Sequence, residues 1–292
     1  MQKLVYVPPG GDYDDSQKRV ILTAEEPFVL SSVKGLGGPE AEIISTEIVS
    51  ASGEYYRGCR YTPRNIPCSV YVKGRDRADM YRQRTKLIGI LRPEDQPGTL
   101  YYENDYISVK VAAIPRVPPD FTDRIKNYSR SDVAFYCPVP EWISLEEQEK
   151  SMAYIEGSEF TFPCTFDPSI SFVHTVNTLD IEYNGTAPAP VKITVLGPSE
   201  SPVIRNLTTN KSIGILRPLS VNEILVINTE RGKKSVKLIN SDTDSETDAF
   251  GYINPTSEFW ELVPGVNRIT YGDQEQISTS IYINFQERYA GV

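Results

Sequence analysis

The chain is expected to be mainly β: an N-terminal β-rich domain with one α-helix, followed by a second all-β domain. Three observations predict this. Short runs rich in Val, Ile, Thr and Tyr, bounded by Gly, Pro, Asn or Ser, recur along all 292 residues. Several of them alternate apolar and polar residues, as in Val191-Lys192-Ile193-Thr194-Val195 and Tyr282-Ile283-Asn284-Phe285. The 22 prolines and 19 glycines leave little room for long helices. Many short strands with frequent turn signals describe sandwiches or barrels.

In chain order, the first strands are expected at Lys3–Val7, Arg19–Thr23, Pro27–Val33, Glu42–Val49 and Ser69–Val72. A helix is expected from Asp76 to Leu91. Asp76 can cap its N-terminus, and Asp79 complements the positive end of the dipole. Met80, Leu87, Ile88 and Leu91 fall into one apolar stripe, and Pro93 stops the helix. Arg77, Arg82, Arg84 and Lys86 occupy much of its remaining surface. A weaker helical stretch is expected over Ser144–Ala153, with Glu146, Glu147 and Glu149 near its start. Later strands are expected at Val191–Val195, Ile224–Asn228, Ser235–Ile239, Asn267–Tyr271 and Ile277–Phe285.

The domain boundary is expected near residue 140, giving domains of 1–140 and 141–292. Pro138 and Pro140 resist both helix and central strand there. Charge changes across the same point. Residues 1–140 hold 19 Lys/Arg and 18 Asp/Glu, whereas residues 141–292 hold 11 and 21. The overall net charge of −9 argues against a nucleic-acid binder in the usual sense. No apolar run is long enough to span a bilayer, and the N-terminus lacks a signal peptide pattern, so cytoplasmic synthesis is expected.

The inventory for catalysis is thin. The single histidine, His174, shares a strand face with Phe172 and Val176 and is expected to be structural. A Cys164–His174 dyad exists on paper without local support. Carboxylates alone can hydrolyse glycosides, so a hydrolase stays the third alternative. The four cysteines Cys59, Cys68, Cys137 and Cys164 form no CxxC pair, and are expected to be small hydrophobes without a disulfide. N-x-[ST] sequences at Asn127, Asn184, Asn206 and Asn210 are expected to be accidents of a Thr/Ser/Asn-rich chain. Asp242–Asp248 is dense in oxygen ligands, but an EF-hand loop starting at Asp242 would need Gly at Thr247 and Glu at Ile253. It is expected to be a solvated turn. Neither metal nor cofactor is expected.

Two surfaces remain. The basic segment Arg57–Arg92 faces either a polyanion or a neighbouring subunit, with Arg77, Arg82, Arg84 and Lys86 the candidate interface residues. Trp260 could stack a sugar if exposed, which makes a carbohydrate-binding module the second alternative.

The order of motifs supplies a resemblance. In the first half, Pro63-Arg64-Asn65-Ile66-Pro67 precedes a strand and the Arg-bearing helix follows. Then come Arg92-Pro93-Glu94-Asp95-Gln96-Pro97-Gly98-Thr99-Leu100-Tyr101-Tyr102 and Ile114-Pro115-Arg116-Val117-Pro118-Pro119. The half closes on Cys137-Pro138-Val139-Pro140-Glu141-Trp142. In the second half, Asn184-Gly185 leads to Pro190–Val195, then Ile204-Arg205-Asn206, Glu223–Thr229 and Trp260-Glu261-Leu262-Val263-Pro264-Gly265-Val266-Asn267. This series resembles the siphovirus-type tail component family over roughly residues 25–292; Val139 departs from it, standing where an acidic residue is common.

The resemblance implies a structural role without catalysis or cofactor. The first domain would form a homo-hexameric ring around a channel, and the second would be a peripheral galectin-like β-sandwich. Implied partners are the tail tube protein, a tail-associated hub or lysin protein, and receptor-binding or baseplate proteins. No membrane is implied, and DNA at most passes through the ring. The implied location is the virion tail tip, after assembly in the host bacterial cytoplasm.

Overall fold

The computed structural model describes residues 2–48, 52–154, 178–272 and 279–292. His174 and Cys164 lie outside them, and so does Ile277 of the last expected strand. The chain divides into two compact units, residues 1–145 with 288–292, and residues 146–287.

The first unit carries the only α-helix among the described residues. Strand β1 (Lys3–Val7) lies between β2 (Val20–Leu22) and β7 (Gly98–Glu103), both antiparallel. Strand β3 (Phe28–Val33) pairs β6 (Arg64–Lys73), and β6 pairs β9 (Tyr128–Cys137). The long β8 (Ser108–Ile125) serves both groups: it pairs β7 near its start and β9 further on. Its register with β9 shifts at three places between Pro115 and Asp123. Pro115, Pro118 and Pro119 lie in that stretch and lack the N–H a regular ladder needs. The alternation in β6 is regular, with Arg64, Ile66, Cys68, Val70 and Val72 buried. Ile66, Cys68, Val70 and Val72 pack with Leu4, Leu100, Phe135 and Trp142 in one apolar core.

Helix α1 runs Arg77–Ile90. Asp76 caps it as expected, accepting a 2.8 Å hydrogen bond from the Asp79 N–H. Met80, Leu87, Ile90 and Leu91 are buried, but Ile88 is 47% exposed, which corrects the expected stripe. The packed face centres on Leu87, and one further residue turns Ile88 about 100° away from it.

A second hairpin of this unit forms its own two-stranded sheet from β4 (Ala41–Glu47) and β5 (Glu54–Tyr61).

The expected helix at Ser144–Ala153 is instead part of strand β10 (Trp142–Tyr154). Its start pairs β8 through Ile143↔Lys110 and Ser144↔Val109. Further on it neighbours the last strand, β20 (Thr279–Tyr289), where Gln148 donates to Glu287 and Glu149 accepts from Asn284, both at 3.0 Å. Glutamate-rich sequence favours a helix only by tenths of a kcal/mol per residue, and pairing on the strand edges overrides it.

The second unit is a two-sheet sandwich. One sheet has the order β17 (Ser245–Asp248), β16 (Ser235–Asn240), β15 (Glu223–Asn228), β12 (Ala189–Leu196), β20 and then β10. The other is β11 (Thr178–Tyr183), β19 (Gly265–Gly272), β13 (Val203–Asn206) and β14 (Lys211–Gly214). The inward faces meet in a core that includes Ile181, Ile193, Ile204, Ile227, Ile269 and Ile283. A two-residue strand, β18 (Glu261–Leu262), pairs the start of β12.

Candidate functional site

Among the described residues, most groups that could carry chemistry are engaged in structure. Cys68 and Cys137 are buried, and burial pushes both thiols up to about 12, so they stay protonated near neutral pH. Cys59 is free and exposed on β5. The Asp242–Asp248 stretch forms the turn between β16 and β17: Asn240 Oδ1 accepts from the Asp242 and Thr243 N–H groups, and Asp242 accepts from Asn222. Trp260 is 1% exposed within the sandwich core, so it offers no exposed face on which a sugar could stack. Asn206, one of the N-x-[ST] sites, is buried as well, donating to Asn267 and accepting from the Thr208 N–H.

One cleft in the first unit, about 540 Å³, is lined by Lys3, Arg19, Lys86, Glu25, Glu103 and Asp105 among others. Three of the groups there bond to one another. Lys3 Nζ donates to Glu103 at 2.9 Å and to Tyr13 at 3.0 Å, and Tyr13 also donates to Glu103. Burial pushes the Glu103 carboxyl up, but the bonds from Tyr13 and Lys3 outweigh it and hold the group below its ordinary value. Lys3, Tyr13 and Glu103 form a closed hydrogen-bonded cluster at this cleft, while Arg19 Nε is buried with no hydrogen-bond partner among the described residues.

The four basic helix residues divide by environment. Arg77, Arg82 and Lys86 are exposed, although Arg82 lies 3.8 Å from Asp79 and the Lys86 ammonium is 3.4 Å from the Ser16 carbonyl. Arg84 is half-buried in its own subunit, with its guanidinium 4.0 Å from the Phe121 ring centre and 5.5 Å from that of Tyr81. Tyr81 and Ile88 stand on the outward side of the same helix.

An outward apolar feature is the β4–β5 hairpin, where Ile43, Ile44, Tyr55, Tyr56 and Tyr61 are all exposed. Sequence reasoning placed β4 but missed its partner. The available signal was the Ser52-Gly53 turn followed at once by Tyr55-Tyr56.

Arg64 also went unrecognised for what it does. It is 4% exposed, and its guanidinium donates to the carbonyls of Pro140 (2.8 Å), Gly35 (2.6 Å), Gly37 and Ala290. Gly35 has φ +80° and no room for a Cβ, which would lie 2.2 Å from the Asn65 carbonyl oxygen. The cradle therefore depends on a glycine as well as on the arginine.

Two family models match side by side and in order. Residues 16–137 match the phage tail protein RIFT-related domain, and residues 184–289 match the siphovirus-type tail component, C-terminal domain. The chain belongs to the siphovirus-type tail component family. Its structural likeness agrees in fold. The crystal structure of the Dit protein of phage SPP1, described as a paradigm of the hub adsorption apparatus in Gram-positive infecting phages, aligns with a TM-score of 0.68 at 12% identity over 99% of both chains. A chain of the phage P2 baseplate in its activated conformation with Ca aligns with a TM-score of 0.46 at 11% identity over 97% of both chains. No curated protein sequence matches. The tail component family is a structural one, and the sandwich of the second unit corresponds to its galectin-like domain.

Proposed function

We propose that this chain is a distal tail hub protein, a hexameric ring that joins the end of a tail tube to the tail-tip adhesion machinery. The observation that carries the reading is the tandem match of both tail component models, one to each compact unit. The first domain, residues 1–140, forms the ring. The second, residues 141–292, stands at its periphery. Charge supports this division: a net +1 segment packs against copies of itself more readily than one of net −10. Ring closure needs two different patches on each subunit. The first unit offers two of opposite character, the basic outer side of α1 and the apolar hairpin β4–β5.

In this reading the partners are the tail tube protein on one side and a tail-associated hub or lysin protein on the other, with receptor-binding or baseplate proteins further out. DNA passes through the channel without being read. The protein acts at the virion tail tip, after assembly in the host cytoplasm, and carries out no catalysis. Light scattering coupled to size exclusion tests it. The expected mass is about six times the subunit's 32.8 kDa. A stable monomer well above micromolar concentration would contradict the ring.

A further inference from the structure

The β4–β5 hairpin is at odds with a solitary molecule. An isolated two-stranded ribbon is marginal in water and normally needs a packed face. Here every residue of β4 is exposed, and so is every residue of β5 except Gly58. The register sorts the side chains into two unlike faces. On one, Glu42 is ion-paired with Arg60 at 2.7 Å and Arg57 donates to Thr46 at 3.2 Å, with Ile44 between them and Tyr55 opposite Thr46. The other presents Ala41 opposite Tyr61, Ile43 opposite Cys59, Ser45 opposite Tyr56, and Glu47 opposite Glu54, with the Ser45 hydroxyl donating to Glu54. Ile43, Tyr56 and Tyr61 on that face are 60%, 66% and 50% exposed. Ile44 and Tyr55 on the first face are 46% and 62% exposed beside those polar pairs, whereas the second sets three exposed apolar side chains next to Glu47 and Glu54, and none of the described residues of the subunit covers it.

The same unit carries a surface that complements it. One side of α1 presents Tyr81 and Ile88, seven residues apart and 40% and 47% exposed, with Arg77 on the same side and Arg82 on the adjoining one. Residues 77–90 hold four basic and one acidic side chain, and residues 40–62, which contain the hairpin, hold four acidic and two basic. Aromatic and aliphatic groups would meet their like at the centre, with opposite charges around them, as in specific protein contacts.

We infer that the Ile43–Tyr56–Tyr61 face of the hairpin docks on the outer face of α1 in a second copy of the chain. The contact is head to tail, and it rests on the ring reading, because two different patches propagate from subunit to subunit and close only by rotation. It also gives the exposed Ile88, Arg77 and Arg82 a common purpose.

The test uses full-length Tyr56→Glu and Ile88→Glu, one on each patch. Both positions are exposed, so melting temperatures by circular dichroism should stay within a few degrees of wild type, which verifies folding. Each variant alone should lose assembly by at least about tenfold in dissociation constant. An equimolar mixture should recover a single contact, because each variant keeps one intact patch. The mixture should then stop at the dimer, twice 32.8 kDa. If wild type assembles and both variants assemble equally well, the contact is wrong and the ring stands. If only the hairpin variant loses assembly, or the mixture forms no dimer, the hairpin docks elsewhere and the inference fails. A wild type that stays monomeric overturns the ring reading and this contact together.

Discussion

A buried cation usually finds a carboxylate; Arg64 instead finds carbonyls. Its donors reach the Pro140, Gly35, Gly37 and Ala290 oxygens, and its guanidinium lies 5.7 Å from the Trp142 ring centre. Burial lowers its pKa, with Cys137 and Glu141 acting the other way, but a guanidinium stays charged at any pH at which a protein is folded. The planar fork lets one side chain satisfy acceptors from three separate parts of the chain. Arg64→Met leaves those carbonyls unsatisfied and should cost about 3 kcal/mol. Arg64→Lys should recover little, because an ammonium cannot present the same fork. Urea unfolding of the three proteins measures both. Restoration of full stability by lysine would mean that charge alone matters there.

Glu223 offers a pH test at the same scale. One carboxylate oxygen accepts from the Ser220 N–H at 2.9 Å and the other from Arg217 at 2.7 Å. The Ser220 bond is the largest cause holding its pKa below the ordinary 4.5, against the opposing effect of burial. A carboxyl whose pKa is lowered on folding stabilises the protein above its unfolded value and loses that contribution as pH falls through the folded one. Glu223→Gln should therefore cost about 1 kcal/mol or less at pH 7, since part of the pair is screened by water. The difference in melting temperature from wild type should close as pH falls below about 4.5. An unchanged difference at pH 3 would assign the effect to packing.

Among the elements, α1 was the most legible. Asp76, Asp79 and the spacing of Met80, Leu87 and Leu91 were sufficient to find it, because capping and helical period are local properties. Its exact rotation was not local. Ile88 was assigned to the core from spacing alone, but the helix turns the Leu87 side toward the strands beneath it. The pair supplies a direct test. Leu87→Ala should destabilise by about 2–5 kcal/mol, and Ile88→Ala by less than about 0.5 kcal/mol in the isolated subunit. Equal losses in thermal melts would show that the helix packs by a different face. Strand β10 shows the limit in the other direction. Nothing in Glu146–Glu149 announces a strand; its partners lie far along the chain, in β8 and β20.

For the whole molecule, chain order and compactness do not coincide. Residues 288–292 belong to the first unit although they follow the second. There Val292 N–H donates to the Leu36 carbonyl at 3.0 Å, and Gly291 sits where a Cβ would lie 2.6 Å from the backbone of Gly37. Two outcomes are expected from truncation. Residues 146–287 alone should give a folded, soluble, β-rich monomer, because their core is closed within the unit. Removing 288–292 from the full chain should lower the melting temperature of the first unit, since Arg64 then loses the Ala290 carbonyl. Circular dichroism and calorimetry measure both. An aggregated 146–287 fragment would mean that the two units share a core.

By itself the sequence determined the mainly β class, the capped helix and the order of motifs that marks the family. These depend on period, turn residues and spacing, which are properties of neighbours along the chain. Tertiary structure alone decided that Trp260 is core, that β10 is a strand, that Arg64 holds carbonyls from distant segments, and that β4 and β5 stand out with an apolar face uncovered. Each of these turns on which distant segments come to lie against the residue, and burial and strand pairing set by such contacts outweigh local propensities of a few tenths of a kcal/mol.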